Sequence, residues 1–475
     1  MELIERSAVD LARAIREGEL SARAVVEAHI DQARRVNPAI CALVADRFDA
    51  ALEEADAADA RVRAGGELPP LLGVPCTIKE SFALEGMPNC AGLVSRREQR
   101  ADRDAPAVAR LRAAGAIPIG VTNTSELTMW IESHNRVYGR TRNAYDPRRT
   151  AGGSSGGEGA AIGAGMAPIG LGTDIGGSIR LPAFFNGVFG HKPSPGLVPC
   201  SGHFPAPAGE GAARMLAAGP LARRAEDLMP FLRAVAGKDG DDPVSRDGRL
   251  QDPAAVELDG LEVVVSEGAS LIPVRGELRD ARERAAGALA AAGARIRRVR
   301  LTGLRRSAEF FLATLREGAG ADLLEIFTLE EAPRLRRVLL DSVRRRGEHT
   351  MATALLFAAD GVAERIPAGY TRRAIGAGKA LRAELDEVIG DGVLLHPPFP
   401  RVAPRHSATV GRPWVVANAA VFNMTGHPVT QVPLGLGRKG LPVGVQVAAG
   451  HDRDHVAIAV ALELERSLGG WVRPG

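Results

Sequence analysis

Residues 152–180 read GGSSGGEGAAIGAGMAPIGLGTDIGGSIR and hold two serine-centred, glycine-flanked turns, Gly152-Gly153-Ser154-Ser155-Gly156-Gly157 and Gly176-Gly177-Ser178. Ser154 precedes Ser178 by 24 residues. Glycines beside a serine let the backbone take φ > 0 and approach a ligand closely, so two such turns in succession point to one site. Either turn alone would pass as an ordinary loop. Between them, small residues from Gly156 onward read as a helix opening at Ser154-Ser155, and Pro168-Ile169-Gly170-Leu171-Gly172 as a strand ending at Thr173-Asp174. The helix therefore starts beside the strand's exit, where open α/β sheets collect their ligands.

Working outward, Leu71 to Glu80 brings short apolar residues up to a charge at Lys79, like a buried strand with a polar end. A helix capped at Asp104, with Pro106 in its first turn, runs to Gly115 and precedes a second apolar strand at Ile117–Val121. Helix then strand at this spacing is the sign of a crossover. Farther downstream, strands are expected at Leu261–Glu267, Arg295–Leu301, Val393–Leu395, Pro428–Val432 and Leu441–Ala448, with a closing helix through Leu462. At the N-terminus, Ser7 and Ser21 can cap helices, the second lasting until Asn37-Pro38, and a third helix spans Phe48 to Ala64. The expected fold is α/β: one large domain, 1–475, with a twisted mixed, largely parallel β-sheet covered by helices on both faces. Within it, 1–66 form an N-terminal helical layer, 71–200 a catalytic core, 302–390 a variable helical substrate cap, and 391–475 the last strands and helix.

The region 302–390 is Arg-rich but carries apolar groups at helical spacing: Phe310, Phe311, Leu315; Leu323, Leu324, Phe327; Leu355, Leu356, Phe357. These read either as solvated helices over a core or as a lid over an apolar substrate.

Composition removes several classes. The formal charge is +3, from 60 basic and 57 acidic residues interleaved along the chain, which leaves no nucleic-acid footprint. No run approaches the roughly 18 apolar residues of a membrane span, and no signal-like segment opens the chain, so a cytoplasmic protein is expected. Cys41, Cys76, Cys90 and Cys200 lie far apart without a C-x-x-C pair, and no histidines cluster at ligand spacing, so reduced thiols, no metal and no cofactor are expected. Five of the 60 basic residues are lysine (Lys79, Lys192, Lys238, Lys379, Lys439), so each lysine asks for a reason.

Gly152-x-Ser154-x-Gly156 satisfies G-x-S-x-G, but an esterase elbow needs a strand immediately before it, and Arg148-Arg149-Thr150 is not one. No lysine follows a serine by three residues, and the Gly-rich run of 152–180 holds neither the Gly-Lys-Ser/Thr of a P-loop nor G-x-G-x-x-G. What remains is a serine nucleophile whose base is not histidine. Lys79 is the candidate base, since arginine stays charged at any working pH. A free lysine is neutral in only about one molecule in 10³ at pH 7. Burial can lower its pKa by roughly 3–5 units, enough to make it a base.

Gly73-Val74-Pro75 with Ile78-Lys79, the 152–157 turn, and Gly172 to Arg180 closely resemble the amidase signature family. Gly157-Glu158-Gly159, Pro182 to Gly187 and Gly190-His191-Lys192-Pro193 are most similar to fatty acid amide hydrolases of the second type. The resemblance covers Gly73 to Cys200, returns from His396 to Gly475, and is thin from about 265 to 390. It implies a Ser-Ser-Lys triad: Ser178 as nucleophile, Ser154 after a cis peptide bond as proton relay, and Lys79 as base. The backbone N–H groups of Ile175, Gly176, Gly177 and Ser178 can form an oxyanion nest. Ser155 would bond Lys79, while Asp174 and Arg180 would brace the nucleophile loop as a salt bridge; Lys192 would be structural. Thr128, Met129 and Trp130 occupy the segment where relatives place the acyl-pocket wall.

The function implied is hydrolysis of a carboxamide with a sizeable apolar acyl or aryl group through an acyl-enzyme, acting on a small molecule, with a homodimer left open. Two alternatives stand beside it. One is the glutaminase subunit of a tRNA-dependent amidotransferase, which would bring partner subunits. The other is a catalytically silent binding protein, which would be expected to have lost Lys79, Ser154 or Ser178.

Overall fold

The computed structural model describes residues 2–267, 272–319, 347–363 and 365–475. Eleven strands form one sheet: β1 (Leu43–Asp46), β2 (Pro75–Lys79), β3 (Ile117–Thr122), β4 (Ile169–Asp174), β5 (Phe189–Lys192), β6 (Ala217–Ala222), β7 (Glu262–Ser266), β8 (Arg295–Val299), β9 (Val393–His396), β10 (Val429–Leu436) and β11 (Pro442–Ala449). Their spatial order is β1-β3-β2-β4-β6-β5-β10-β11-β9-β7-β8. The sheet is mixed. Parallel ladders join β3-β2-β4 and β9-β7-β8, where helical connections intervene, and the strands between those blocks pair antiparallel.

Alternation along the strands buries both faces. Val263 and Val265 of β7 join the large core that includes Leu278, Ala281 and Ala285 of the helix Gly276–Ala291. Val264 between them turns the other way, onto Leu381 and Leu385 of the helix Ala368–Ile389. Helices thus cover the sheet on both sides, as the sequence suggests. The N-terminal helices Ala8–Arg16 and Ala22–Ile40 begin on Ser7 and Ser21, whose hydroxyls accept from Asp10 and Ala24 N–H. Their Leu11, Ile15, Val25 and Val26 enter the same core as Leu71 and Val74.

Several boundaries differ from the sequence reading. The second helix runs through Pro38 to Ile40 and stops where Cys41 takes φ +50°, because Pro38 sacrifices only one bond in the last turn. The helix Pro106–Ala113 has Ala105 at its N-cap; the Asp104 carboxylate instead accepts from Glu85 N–H and pairs with Arg112. The closing helix continues to Leu468. Strands β1, β5 and β6 are additional to the sequence reading. Between 302 and 390, Phe310, Phe311 and Phe357 are buried; Leu323, Leu324 and Phe327 lie outside the described residues. Among the described residues, no helix is long and apolar enough to cross a membrane.

Candidate active site

β2 and β4 run side by side in parallel, with Ile78 opposite Leu171, so Lys79 and Thr173-Asp174 emerge together at the carboxyl end of the sheet. The helix Gly156–Gly163 starts at the same edge, just after the Gly153–Ser154 cis peptide bond. Gly153 has no room for a side chain: a Cβ there would lie 2.7 Å from Trp130 O and Glu132 N. The backbone at 130–132 is thereby packed against the turn that presents Ser154. Ser155 N–H donates to Ser178 O at 3.2 Å, stitching the two serine turns together.

Lys79 is buried, and its Nζ sits 2.7 Å from both Ser154 Oγ and Thr173 Oγ1. Burial pushes the lysine down to about 7, against the opposing pull of Asp174, Glu158 and Glu80. A further hydrogen bond sets the direction of this chain. His203 Nδ1 lies 2.9 Å from Pro205 O, which can only accept, so Nδ1 carries the proton and Nε2 is an acceptor. The Thr173 hydroxyl, 3.3 Å from Nε2, therefore donates to His203 and accepts from Lys79. Burial, with Lys79 beside it, pushes His203 down to about 3 and keeps it neutral.

Asp174 and Arg180 form a fully buried ion pair, Nε to Oδ2 2.9 Å. Asp174 also accepts from the N–H of Gly177 (2.7 Å) and Ile179 (3.1 Å), on either side of Ser178. Burial would raise its carboxyl, but the Arg180 charge and these hydrogen bonds outweigh that and hold it well below the usual range. Arg180 in turn reaches Ala419 O (2.9 Å), Gln446 Oε1 (2.8 Å) and Asn423 Oδ1 (2.6 Å).

Two expectations change. Ser155 does not bond Lys79: its hydroxyl lies between the backbone N–H and C=O of Thr173, and the Thr173 side chain takes the lysine instead. Of the four amides expected around an oxyanion, that of Gly177 is committed to Asp174, because its φ of +110° turns the N–H toward that carboxylate. Lys192 is buried and donates to Pro193 O at 2.9 Å. Met129 packs with Leu93, Leu127 and Phe357, while Trp130 lines a cavity of about 700 Å³ with Glu132, Arg136, Arg140 and Met351. Thr128 adopts φ +59° beside them.

Thr173 and His203 escaped the sequence reading as site residues, as did Glu158, whose carboxylate accepts from the Thr77 (2.6 Å) and Thr122 (2.7 Å) hydroxyls of β2 and β3. Burial pushes Glu158 up to about 7. Asn423 was missed too; it donates to Asp174 O at 2.8 Å from a helix 249 residues away. Thr173 stood inside the quoted motif, and its place on the strand next to Lys79 was the one available signal.

A mixed sheet whose adjoining strand ends present a buried lysine of lowered pKa and two serines is the framework of a hydrolytic enzyme. The chain belongs to the amidase family: the family profile, described as Amidase, matches residues 24–457. It is 43% identical over 492 residues to fatty-acid amide hydrolase 2-B of Danio rerio, covering 100% of this chain and 91% of that one. It is 40% identical over 507 residues to fatty-acid amide hydrolase 2 of Homo sapiens, again covering 100% and 91%. The solved structure of 6-aminohexanoate cyclic dimer hydrolase complexed with substrate superposes with a TM-score of 0.81 at 26% identity, covering 98% of this chain and 97% of that one. The chain is an amide hydrolase, in agreement with its motifs.

Proposed function

We propose that this enzyme cleaves a linear carboxamide bearing a sizeable apolar acyl or aryl group, fatty acid amides among them, by acyl transfer to Ser178. The observation that carries the reading is the 2.7 Å contact of Lys79 Nζ with Ser154 Oγ, in a turn stitched to Ser178 through Ser155 N–H. Neutral Lys79 takes the Ser154 proton as Ser154 takes that of Ser178, and Ser178 Oγ adds to the amide carbonyl. Because Lys79 donates to Thr173, its lone pair is left for Ser154. The amides of Ile175, Gly176 and Ser178 receive the oxyanion, with Gly177 bracing them through Asp174; losing one such donor costs about 2.7–4 kcal/mol of transition-state stabilisation. The proton returns through Ser154 to the leaving nitrogen, and water then releases the acid by the same relay. Phe311 of the helix Ser307–Ala319 lies 3.4 Å from where a Gly176 Cβ would be, which supports reading 302–390 as the cap over the acyl group within one amidase signature domain.

A fluorophosphonate probe is expected to label Ser178 in the wild type and to leave Ser178→Ala unlabelled and inactive. Labelling elsewhere, or full amidase activity in Ser178→Ala, would overturn the assignment. Full-length likeness to fatty-acid amide hydrolases favours a self-sufficient hydrolase over a glutaminase subunit, which would release ammonia from glutamine and co-purify with partner subunits.

A further inference from the structure

Beyond the hydrolytic centre, the fold gathers three metal-ligating side chains that are dispersed in sequence. Asp386 comes from the helix Ala368–Ile389, His427 follows the helix Ala417–Thr425, and His451 follows β11. Their donor atoms all lie within 4.8 Å of one another. Asp386 Oδ1 is 3.0 Å from His427 Nε2 and 2.9 Å from His451 Nε2, and the two imidazoles stack at 4.5 Å between centroids.

The hydrogen bonds decide which nitrogen of His427 faces the cluster as a lone pair. The Thr425 hydroxyl donates to Val421 O at 3.0 Å, so toward His427 Nδ1, at 2.9 Å, it can only accept. Nδ1 therefore carries the proton, and Nε2 presents its lone pair. That nitrogen is fully buried and has no hydrogen-bond partner among the described residues, although a carboxylate oxygen lies 3.0 Å away. Two electron-pair donors thus face each other with no proton between them, an arrangement that a cation resolves. A partner fixing the tautomer of a ligating imidazole is the usual support of a metal site.

We propose that Asp386, His427 and His451 bind a zinc ion, in a structural site separate from the reacting serines. Two imidazole nitrogens and a carboxylate suit Zn²⁺, whose bond lengths of about 2.0–2.2 Å put tetrahedral donors roughly 3.3 Å apart, close to the spacing present. The positive groups facing the cluster are the buried Lys192, whose charge is felt at His427, and Arg382, with Nη2 3.5 Å from His451 Nε2 and Nε 3.9 Å from Asp386 Oδ2. The Arg382 side chain is half exposed and can turn to solvent on metal entry. The bound ion would clip three segments together, one of them the end of the helix that supplies Asn423 and Ala419 O to the Asp174–Arg180 brace. Sequence spacing conceals the site, since its ligands span residues 386 to 451.

Calorimetric titration of Zn²⁺ into EDTA-treated, dialysed full-length enzyme tests this. One saturable equivalent per chain is expected, with a melting midpoint that climbs with Zn²⁺ concentration. Thr425→Val, which removes the acceptor for Nδ1 along with the hydroxyl's bond to Val421 O, should weaken binding by about 10- to 100-fold. His451→Ala, which takes away a partly exposed ring, should abolish it, while both variants keep their circular dichroism. Absence of a saturable equivalent, or the same affinity in both variants, overturns the proposal. So does a melting midpoint that follows pH but ignores Zn²⁺, which would assign the cluster to a shared proton.

Discussion

In the proposed relay Lys79 acts only as a neutral amine, and its burial brings it down to about 7. The deprotonated form is the active one, so kcat/KM is expected to rise with pH through about 7 and level off above it; a profile falling across that range would remove Lys79 as the base. Lys79→Ala should lose several orders of magnitude in kcat. On the proposed relay, the chain from Lys79 through Thr173 to His203 makes His203 a positioning residue. His203→Phe should leave the Thr173 hydroxyl free to donate to Lys79, occupying the lone pair meant for Ser154. We expect kcat to fall at least tenfold with KM little changed and the rise in rate displaced along pH, and His203→Gln, which retains an acceptor, to restore much of it. A purely structural histidine would give no displacement and no rescue. Lys79, Ser154 and Ser178 stood out in the sequence as candidates because lysine is rare in this chain and glycines mark the serines. Thr173 and His203 were not, because their role arises from contacts between residues 94 and 30 positions apart.

At the scale of elements, the strands that read clearly are apolar runs bounded by glycine or charge, such as Ile117–Thr122 and Val393–His396. β6 is hidden because Ala-Ala-Gly-Pro-Leu-Ala has little β propensity and proline is unusual inside a sheet. Pro220 stands opposite Leu171 in the ladder with β4 and one residue beyond the two-residue ladder with β5. The turn after β4 shows the converse, a backbone that depends on one glycine. Gly177 takes φ +110°, and a Cβ there would lie 2.6 Å from Ala419 Cβ on the helix Ala417–Thr425. Gly177→Ala must shift either the turn or that helix, moving the flanking amides proposed to receive the oxyanion. Loss of one donor corresponds to roughly 10²–10³ in rate, so a fall of at least 100-fold in kcat with near-native circular dichroism is expected. Normal turnover in this variant would mean that the turn does not hold the donors.

The whole molecule meets at Arg180. Through its guanidinium, the end of β4 is tied to the helix Ala417–Thr425 and, by Gln446, to β11, which lies four places along the sheet from β4. A buried pair of this kind need not stabilise relative to apolar residues, yet removing one partner strands the other charge in the core. Arg180→Met should therefore cost about 3–5 kcal/mol, read as a lower midpoint in chemical denaturation. Arg180→Lys keeps the charge but not the planar fork that serves Asp174, Asn423, Gln446 and Ala419 O together, so it should fall between wild type and Arg180→Met. The two variants separate charge from geometry: if the fork matters because it fixes Asp174 against the Gly177 and Ile179 amides, Arg180→Lys will recover stability more fully than it recovers fluorophosphonate labelling of Ser178. Equal recovery of both would reduce Arg180 to a counter-ion, and the link between the two ends of the chain and the nucleophile turn would have to run through Asn423 alone.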